Sequence, residues 1–110
     1  MGIQIDSVIQ ALEAAKKLTK EGGEYWTARN IQAILGYTAW ENFEKVINKA
    51  RIACESSGVQ PEDQFHGSMK MIEGGKGAML PRKDYFLTRY ACYLIAMNGD
   101  ASKPEIATAR

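Results

Sequence analysis

The sequence predicts an α+β fold: a compact, mainly helical domain with a small antiparallel sheet that includes a β-hairpin wing. Three observations carry that prediction. Apolar residues recur at helical spacing in separate stretches, as in Phe43, Val46, Ile47, Ala50, Ala53 and Cys54. Two short runs flank a glycine-rich turn, Glu73-Gly74-Gly75-Lys76, in the manner of a hairpin. A strand-like stretch, Lys83 to Leu87, then feeds directly into the apolar run Tyr90 to Met97. Four or five helices are expected in all, within the single domain natural to 110 residues.

Taken in order, Asp6 or Ser7 can cap a first helix reaching about Lys20, with Val8, Leu12, Ala15 and Leu18 as its apolar stripe and Glu13–Lys17 as a favourable pair. Glu21-Gly22-Gly23 ends it. Glu24 to Thr27 reads as a short strand, and Thr27 can cap a second helix whose buried side is Ala28, Ile31, Ile34 and Leu35. Gly36 stops that helix. Thr38-x-x-Glu41 is a capping box for a longer third helix that runs out at Ser56-Ser57-Gly58. Its exposed face would carry Lys45, Asn48, Lys49 and Glu55, with Glu41–Lys45 and Arg51–Glu55 partly cancelling the positive charge.

Val59 to Gly67 reads as a polar loop around Pro61. Ser68 to Ile72 and Gly77 to Leu80 form the hairpin strands. Thr88 suits the N-cap of the next helix, and Asn98-Gly99 its end, with Gly99 free to be left-handed. Tyr90 to Met97 leaves no polar face, which predicts a central core helix. Ser102 and Pro104 then suit the cap and first turn of a last helix.

Composition narrows the function classes. The chain is 45% hydrophobic and 25% charged, an ordinary globular balance. No apolar run approaches the ~20 residues of a membrane span, and Asp6, Glu13 and the lysines interrupt any leader-like start, so the cytoplasm is the expected compartment. Net charge is +1 with a pI near 7.7, whereas dedicated nucleic-acid binders often lie above ~9. Only local clustering can therefore favour DNA.

Catalytic chemistry is not apparent. Cys54 and Cys92 lack an activating neighbour, and His66 is the single histidine, so no zinc set and no cofactor are expected. Gly74-Gly75-Lys76-Gly77 lacks the Ser or Thr and the strand–loop–helix setting of a phosphate loop. The expectation is a protein that is not an enzyme. Among the aromatics, Tyr90, Tyr93 and Trp26 suit the core, while Tyr37 and Trp40, at a turn and a helix start, suit partial exposure.

The string Leu87 to Asp100, LTRYACYLIAMNGD, resembles a passage of the bacterial DNA-damage-inducible protein D family. The likeness continues through Glu24-Tyr25-Trp26, Ala28-Arg29, Leu35-Gly36-Tyr37, Trp40, Asn42-Phe43, Val46-Ile47, Lys49-Ala50, Ala53-Cys54, Gly58, Phe65, Asp84-Tyr85 and Lys103 to Ala107. It covers residues 24–107 and leaves 1–23 as an N-terminal helix outside it. The family's His-Phe pair is altered here, with Gln64 before Phe65 and His66 after it. Family members run on with an aromatic-rich helix and a further region, whereas this sequence stops at Thr108-Ala109-Arg110. A more distant likeness is to the N-terminal domain of BRO proteins and phage antirepressors.

The resemblance implies a non-catalytic regulator in the bacterial DNA-damage (SOS) response, of a family that restrains RecA recombinase filaments by binding protein, DNA or both. The alternative is a phage antirepressor-like or winged-helix DNA-binding regulator of transcription. A third reading is a dimerisation module, so a homodimer stays open beside a recombinase filament or DNA as partner.

The expected contact residues are Lys70, Lys76, Arg82 and Lys83, which give the hairpin segment three net positive charges over Glu73. Lys45 and Lys49 form a secondary edge. Arg89, a cation at a helix N-terminus, calls for a negative partner. Either a carboxylate such as Glu24 or Asp84, or a bound phosphate, would supply it. DNA binding through these residues is expected to be weak, salt-sensitive and non-specific in sequence.

Overall fold

The structure, a computed structural model, describes residues 5–99 and Lys103, with side chains from Gln10 onward. In chain order the elements are α1 (Ile5–Ala15), β1 (Lys17–Leu18), β2 (Glu24–Thr27), α2 (Ala28–Ile34), α3 (Trp40–Ser56), α4 (Pro61–Gln64), β3 (Phe65–Glu73), β4 (Met79–Leu87) and α5 (Arg89–Asn98). The strands form one antiparallel sheet in the order β1-β2-β4-β3, so the fold is α+β.

Register decides which face of the sheet is core. Trp26 pairs with Leu87, and Leu87 with Phe65, so these side chains share one face. Tyr85 joins them two residues along β4. All four are at most 3% exposed. Against that face pack Ile31 and Leu35 of α2 and its exit, Phe43, Ile47 and Ala50 of α3, and Ala91 and Ile95 of α5. The periodic stripe of α3 is thus core, as its spacing requires.

Thr88 caps α5 as its position predicts: its hydroxyl accepts from the Ala91 amide at 3.1 Å and donates to Gln64. β4 and α5 are therefore one continuous strand–cap–helix unit.

Several local expectations are corrected. Asp6 and Ser7 lie within α1, which ends at Ala15 rather than near Lys20, because Lys17 and Leu18 leave to pair with Tyr25 and Glu24. Glu13 consequently bridges Lys16 at 3.2 Å instead of Lys17, and Leu18 is 65% exposed. The Val8 side chain and the expected last helix at Ser102–Pro104 lie outside the described residues.

Thr27 occupies the N-cap of α2 but makes no capping bond, and its hydroxyl is buried without a partner among the described residues. The expected capping box does not form, because Ala39, not Thr38, is the extended residue before α3. The segment taken as a loop around Pro61 holds the single turn of α4, with proline at its start, and then the first residues of β3. Gly99 is not left-handed; its φ is −81°, and the chain leaves α5 extended.

The largest correction concerns α5. It is not enclosed on all sides: Tyr90, Tyr93 and Met97 are 36%, 55% and 65% exposed, an apolar stripe on its outer side. Tyr37, expected near the surface, is instead buried at 8%, its ring 5.3 Å from Phe43. Trp40 is half-buried, as expected for it, beneath the Arg29 guanidinium at 4.0 Å.

Candidate nucleic-acid interface

The hairpin is longer than its glycine turn suggested. β3 and β4 pair from Phe65↔Leu87 to Glu73↔Met79, nine residues a side, or roughly 30 Å at the usual rise. Only Phe65 of β3 is buried, and of β4 only Asp84, Tyr85 and Leu87. The distal half is therefore an arm exposed on both faces. Its turn closes through Gly74 N–H to the Ala78 carbonyl at 2.7 Å. Gly75, Lys76 and Gly77 all take positive φ there, which explains the glycines around Lys76.

The arm sorts the expected cations. Lys70 and Arg82 are direct cross-strand partners and share a face. Lys76 is exposed at the turn. Lys83 lies on the opposite face, paired with Met69, and bonds Glu44 of α3 at 2.9 Å. That hydrogen bond, with a further one to Tyr85, raises the Lys83 pKa above its ordinary value. The same face carries exposed Met69, Met71 and Met79.

Lys45 and Lys49 are exposed one turn apart on α3. Among the described residues, neither the Glu41–Lys45 nor the Arg51–Glu55 bridge forms, so the α3 cations are less cancelled than expected.

Arg89 stands apart from the arm. Its Nε and Nη2 donate to Glu24 at 2.7 and 2.9 Å, Glu13 approaches at 3.2 Å, and the guanidinium lies 5.0 Å from the Trp26 ring centre. The carboxylate alternative for its counter-charge is the one the geometry realises, through Glu24. Hydrogen bonding to Glu24 first, then to Tyr93, pushes the Arg89 pKa up. Conversely, Arg89 holds the Glu24 carboxyl below its usual range, and Lys16 followed by Arg89 does so for Glu13.

Because these folded-state carboxyl values are lowered, the stabilisation is present above the ordinary carboxylate range and is lost as pH falls through the lowered values. The Arg89 side chain is 39% exposed, so solvent screening keeps the effect small. Arg89→Ala is expected to lower stability by about 1 kcal/mol at neutral pH. Chemical denaturation at neutral and strongly acidic pH checks this; an equal loss at both would remove the carboxylates from the account.

Asp84 is the one buried charged residue among the described side chains, at 2% exposure. It does not meet Arg89. Its Oδ1 accepts from the amides of Arg29 at 3.1 Å and Tyr85 at 2.8 Å, which fastens the start of α2 to β4. Arg29 completes the joint by donating Nε and Nη2 to the Lys83 carbonyl at 3.0 and 2.9 Å. Sequence reasoning had no role for this joint, which links residues about 55 positions apart.

Sequence reasoning also missed an aromatic row on the open side of the sheet. Phe86 pairs with His66 on one side and Thr27 on the other. The His66 and Phe86 rings stack at 6.3 Å and 12°, and Tyr25 meets Phe86 edge-on at 5.3 Å. Extending the hairpin register back to Phe65–Leu87 would have placed His66 opposite Phe86.

Elsewhere the site chemistry is sparse. Burial lifts the Cys92 thiol to about 12 and also raises that of Cys54, so both thiols are protonated at neutral pH. No group of three or more His, Cys, Asp or Glu is placed to hold a metal among the described residues. A groove of about 510 Å³ beside α3 and α4, lined by Arg51, Ile52, Glu55, Val59 and Glu62 among others, sets one cation against two carboxylates and lies off the arm. No described helix is long and apolar enough to cross a membrane.

An antiparallel sheet backed by helices and carrying a cationic arm is, in this chain, the fold of the BRO family N-terminal domain. The chain belongs to that family: the BRO family N-terminal domain model matches residues 15–109. It is also 41% identical over 98 residues to the DNA damage-inducible protein D of Escherichia coli (strain K12), a match covering 89% of this chain and 36% of that protein. The chain thus spans about a third of that relative's length. No solved structure matches it.

Proposed function

We propose that this chain is a non-catalytic, DNA-damage-related regulator that contacts nucleic acid or a nucleoprotein filament through its hairpin arm. The observation that carries the reading is the arm itself: Lys70, Lys76 and Arg82 project on an exposed ribbon, with Glu73 the one carboxylate among them. The family match and the name of the 41% identical relative supply the damage context. A positive ribbon that follows a phosphate backbone reads charge rather than base edges, so binding is weak, salt-sensitive and indifferent to sequence. At the finer level, a filament of a RecA-like recombinase on DNA is the partner, restrained by contacts to its protein, its DNA or both, with Lys83, held by Glu44, and the exposed Lys45 and Lys49 of α3 as a secondary edge. Arg89 is already matched by two carboxylates, Glu13 and Glu24, and supplies no free cation to that surface.

The test replaces Lys70, Lys76, Arg82 and Lys83 together by alanine. Binding to recombinase filaments and to bare single- and double-stranded DNA is then measured over a salt series. Loss of each phosphate contact lowers the log–log slope by about 0.7 on single strands and 0.9 on duplex. Lys83 is held by Glu44, so three contacts are expected to vanish, a slope change of about 2 to 3. Unchanged binding to every ligand by a folded variant overturns the assignment.

A second reading, a transcription regulator that reads duplex DNA with α3, draws on the uncancelled Lys45 and Lys49. It predicts affinity that depends on duplex sequence and is lost on replacing those lysines, not the arm.

A further inference from the structure

We propose that the open face of the sheet is a stacking site for the unpaired bases of single-stranded DNA, centred on Phe86 and His66 with Tyr25 beside them. The inference rests on the nucleic-acid reading above and deepens it by naming the strand form and the residues. An antiparallel sheet with one face on the core ordinarily turns polar side chains to water on the other. Here the solvent face presents aromatic rings instead. Phe86 is 43% exposed in the middle of the sheet, although its immediate neighbours Tyr85 and Leu87 are buried at 3% and 0%.

The row runs across the full width of the sheet. Strand register places Lys17 opposite Tyr25, and Phe86 opposite His66, and the Tyr25–Phe86 ring contact joins the two pairs. Four strands at the usual spacing make this row roughly 14 Å wide. His66 and Phe86 lie nearly parallel, 12° apart with ring centres 6.3 Å from each other, and both side chains are exposed. Lys17, exposed, closes one end of the row. On the same face, four residues further along each strand of the arm, stand Lys70 and Arg82, roughly 13 Å from the row.

Between them lies Asp84, the one carboxylate on this stretch, and it is buried with its oxygen occupied by the Arg29 and Tyr85 amides. Aromatic faces flanked by cations are what a flexible polyanion with exposed bases needs: rings for bases, ammonium and guanidinium groups for phosphates. A duplex offers no free base faces to these rings. A sheet of this width accommodates about two or three bases.

The experiment uses Phe86→Ala, His66→Ala and Phe86→Trp with an oligothymidylate and a duplex of equal length, at matched salt and across a salt series. Thermal melting first shows that each variant is folded. The expected result is a loss of roughly tenfold or more in single-strand affinity for Phe86→Ala, with the salt slope and duplex binding unchanged. Phe86→Trp keeps the affinity and gives a fluorescence signal quenched by bound bases.

Single-strand binding by folded Phe86→Ala equal to that of the parent overturns the proposal. So does an equal loss on both strand forms, or a fall in salt slope alone. If the parent binds duplex but not the oligothymidylate, the stacking site fails and the arm reading stands. If it binds neither DNA nor filament, the functional reading itself fails.

Discussion

Truncation of Ile95 to alanine is expected to cost about 2–5 kcal/mol, the range for removing a fully enclosed branched aliphatic chain and leaving its cavity. Ile95 has no exposure and belongs to the cluster that joins α5 to α3 and the sheet. For a domain of this size the melting temperature should fall by about 10 °C or more. Its neighbour Leu94 makes an instructive control. From the sequence alone, Leu94 sits mid-way in an unbroken apolar run and looks equally central. In the fold it is only partly buried, packed at the margin of the core. Leu94→Ala should therefore lose less than half as much as Ile95→Ala. Calorimetry or denaturant melts of both variants decide the matter: equal losses would mean that α5 is enclosed on all sides after all.

Asp84→Ala is the second large effect, expected at about 1–3 kcal/mol. The cause is not a broken ion pair but two amides, of Arg29 and Tyr85, left without their acceptor in a buried setting. Asp84→Asn retains an oxygen for those amides and forfeits mainly the favourable charge at the start of α2, typically 0.3–1 kcal/mol. The asparagine variant should thus recover much of the stability. Denaturant midpoints give the two losses. Amide exchange at Arg29 and Tyr85 locates them, since the joint between α2 and β4 should open first. An alanine variant within about 0.5 kcal/mol of the parent would show that water satisfies these amides without the carboxylate.

These two residues also show where local reasoning holds and where it stops. Spacing was sufficient for α3, because a 3.6-residue stripe of Phe43, Val46, Ile47, Ala50 and Cys54 can be buried only on one side of a helix. Local hydrogen-bonding chemistry was sufficient for Thr88, whose hydroxyl reaches an amide three residues away, though the same chemistry leaves Thr27 without its bond. Glycine was sufficient for the hairpin turn, since successive positive φ values exclude most other residues.

The same local rules failed where a longer-range partner outbid them. Lys17 and Leu18 suit a helix, yet two ladder positions against β2 draw them into the sheet. Thr38 and Glu41 have the spacing of a capping box, yet the turn from Gly36 to Ala39 starts the helix one residue later.

For the candidate site, the sequence by itself determined which residues are cationic and that a glycine turn presents some of them on a ribbon. It determined the family as well, through a motif dense in aromatics. Tertiary structure decided which cations share a face: register sets Lys70 beside Arg82 and sends Lys83 across the ribbon to Glu44. It decided that Arg89 is answered by Glu24 and Glu13 while Asp84 serves backbone amides. It alone brought Tyr25, His66 and Phe86 into one row. The physical reason is common to all three. A side chain's face follows from strand register: the glycine turn fixes that of the hairpin, whereas the β2–β4 pairing joins segments some 60 residues apart and no local pattern in the chain encodes it.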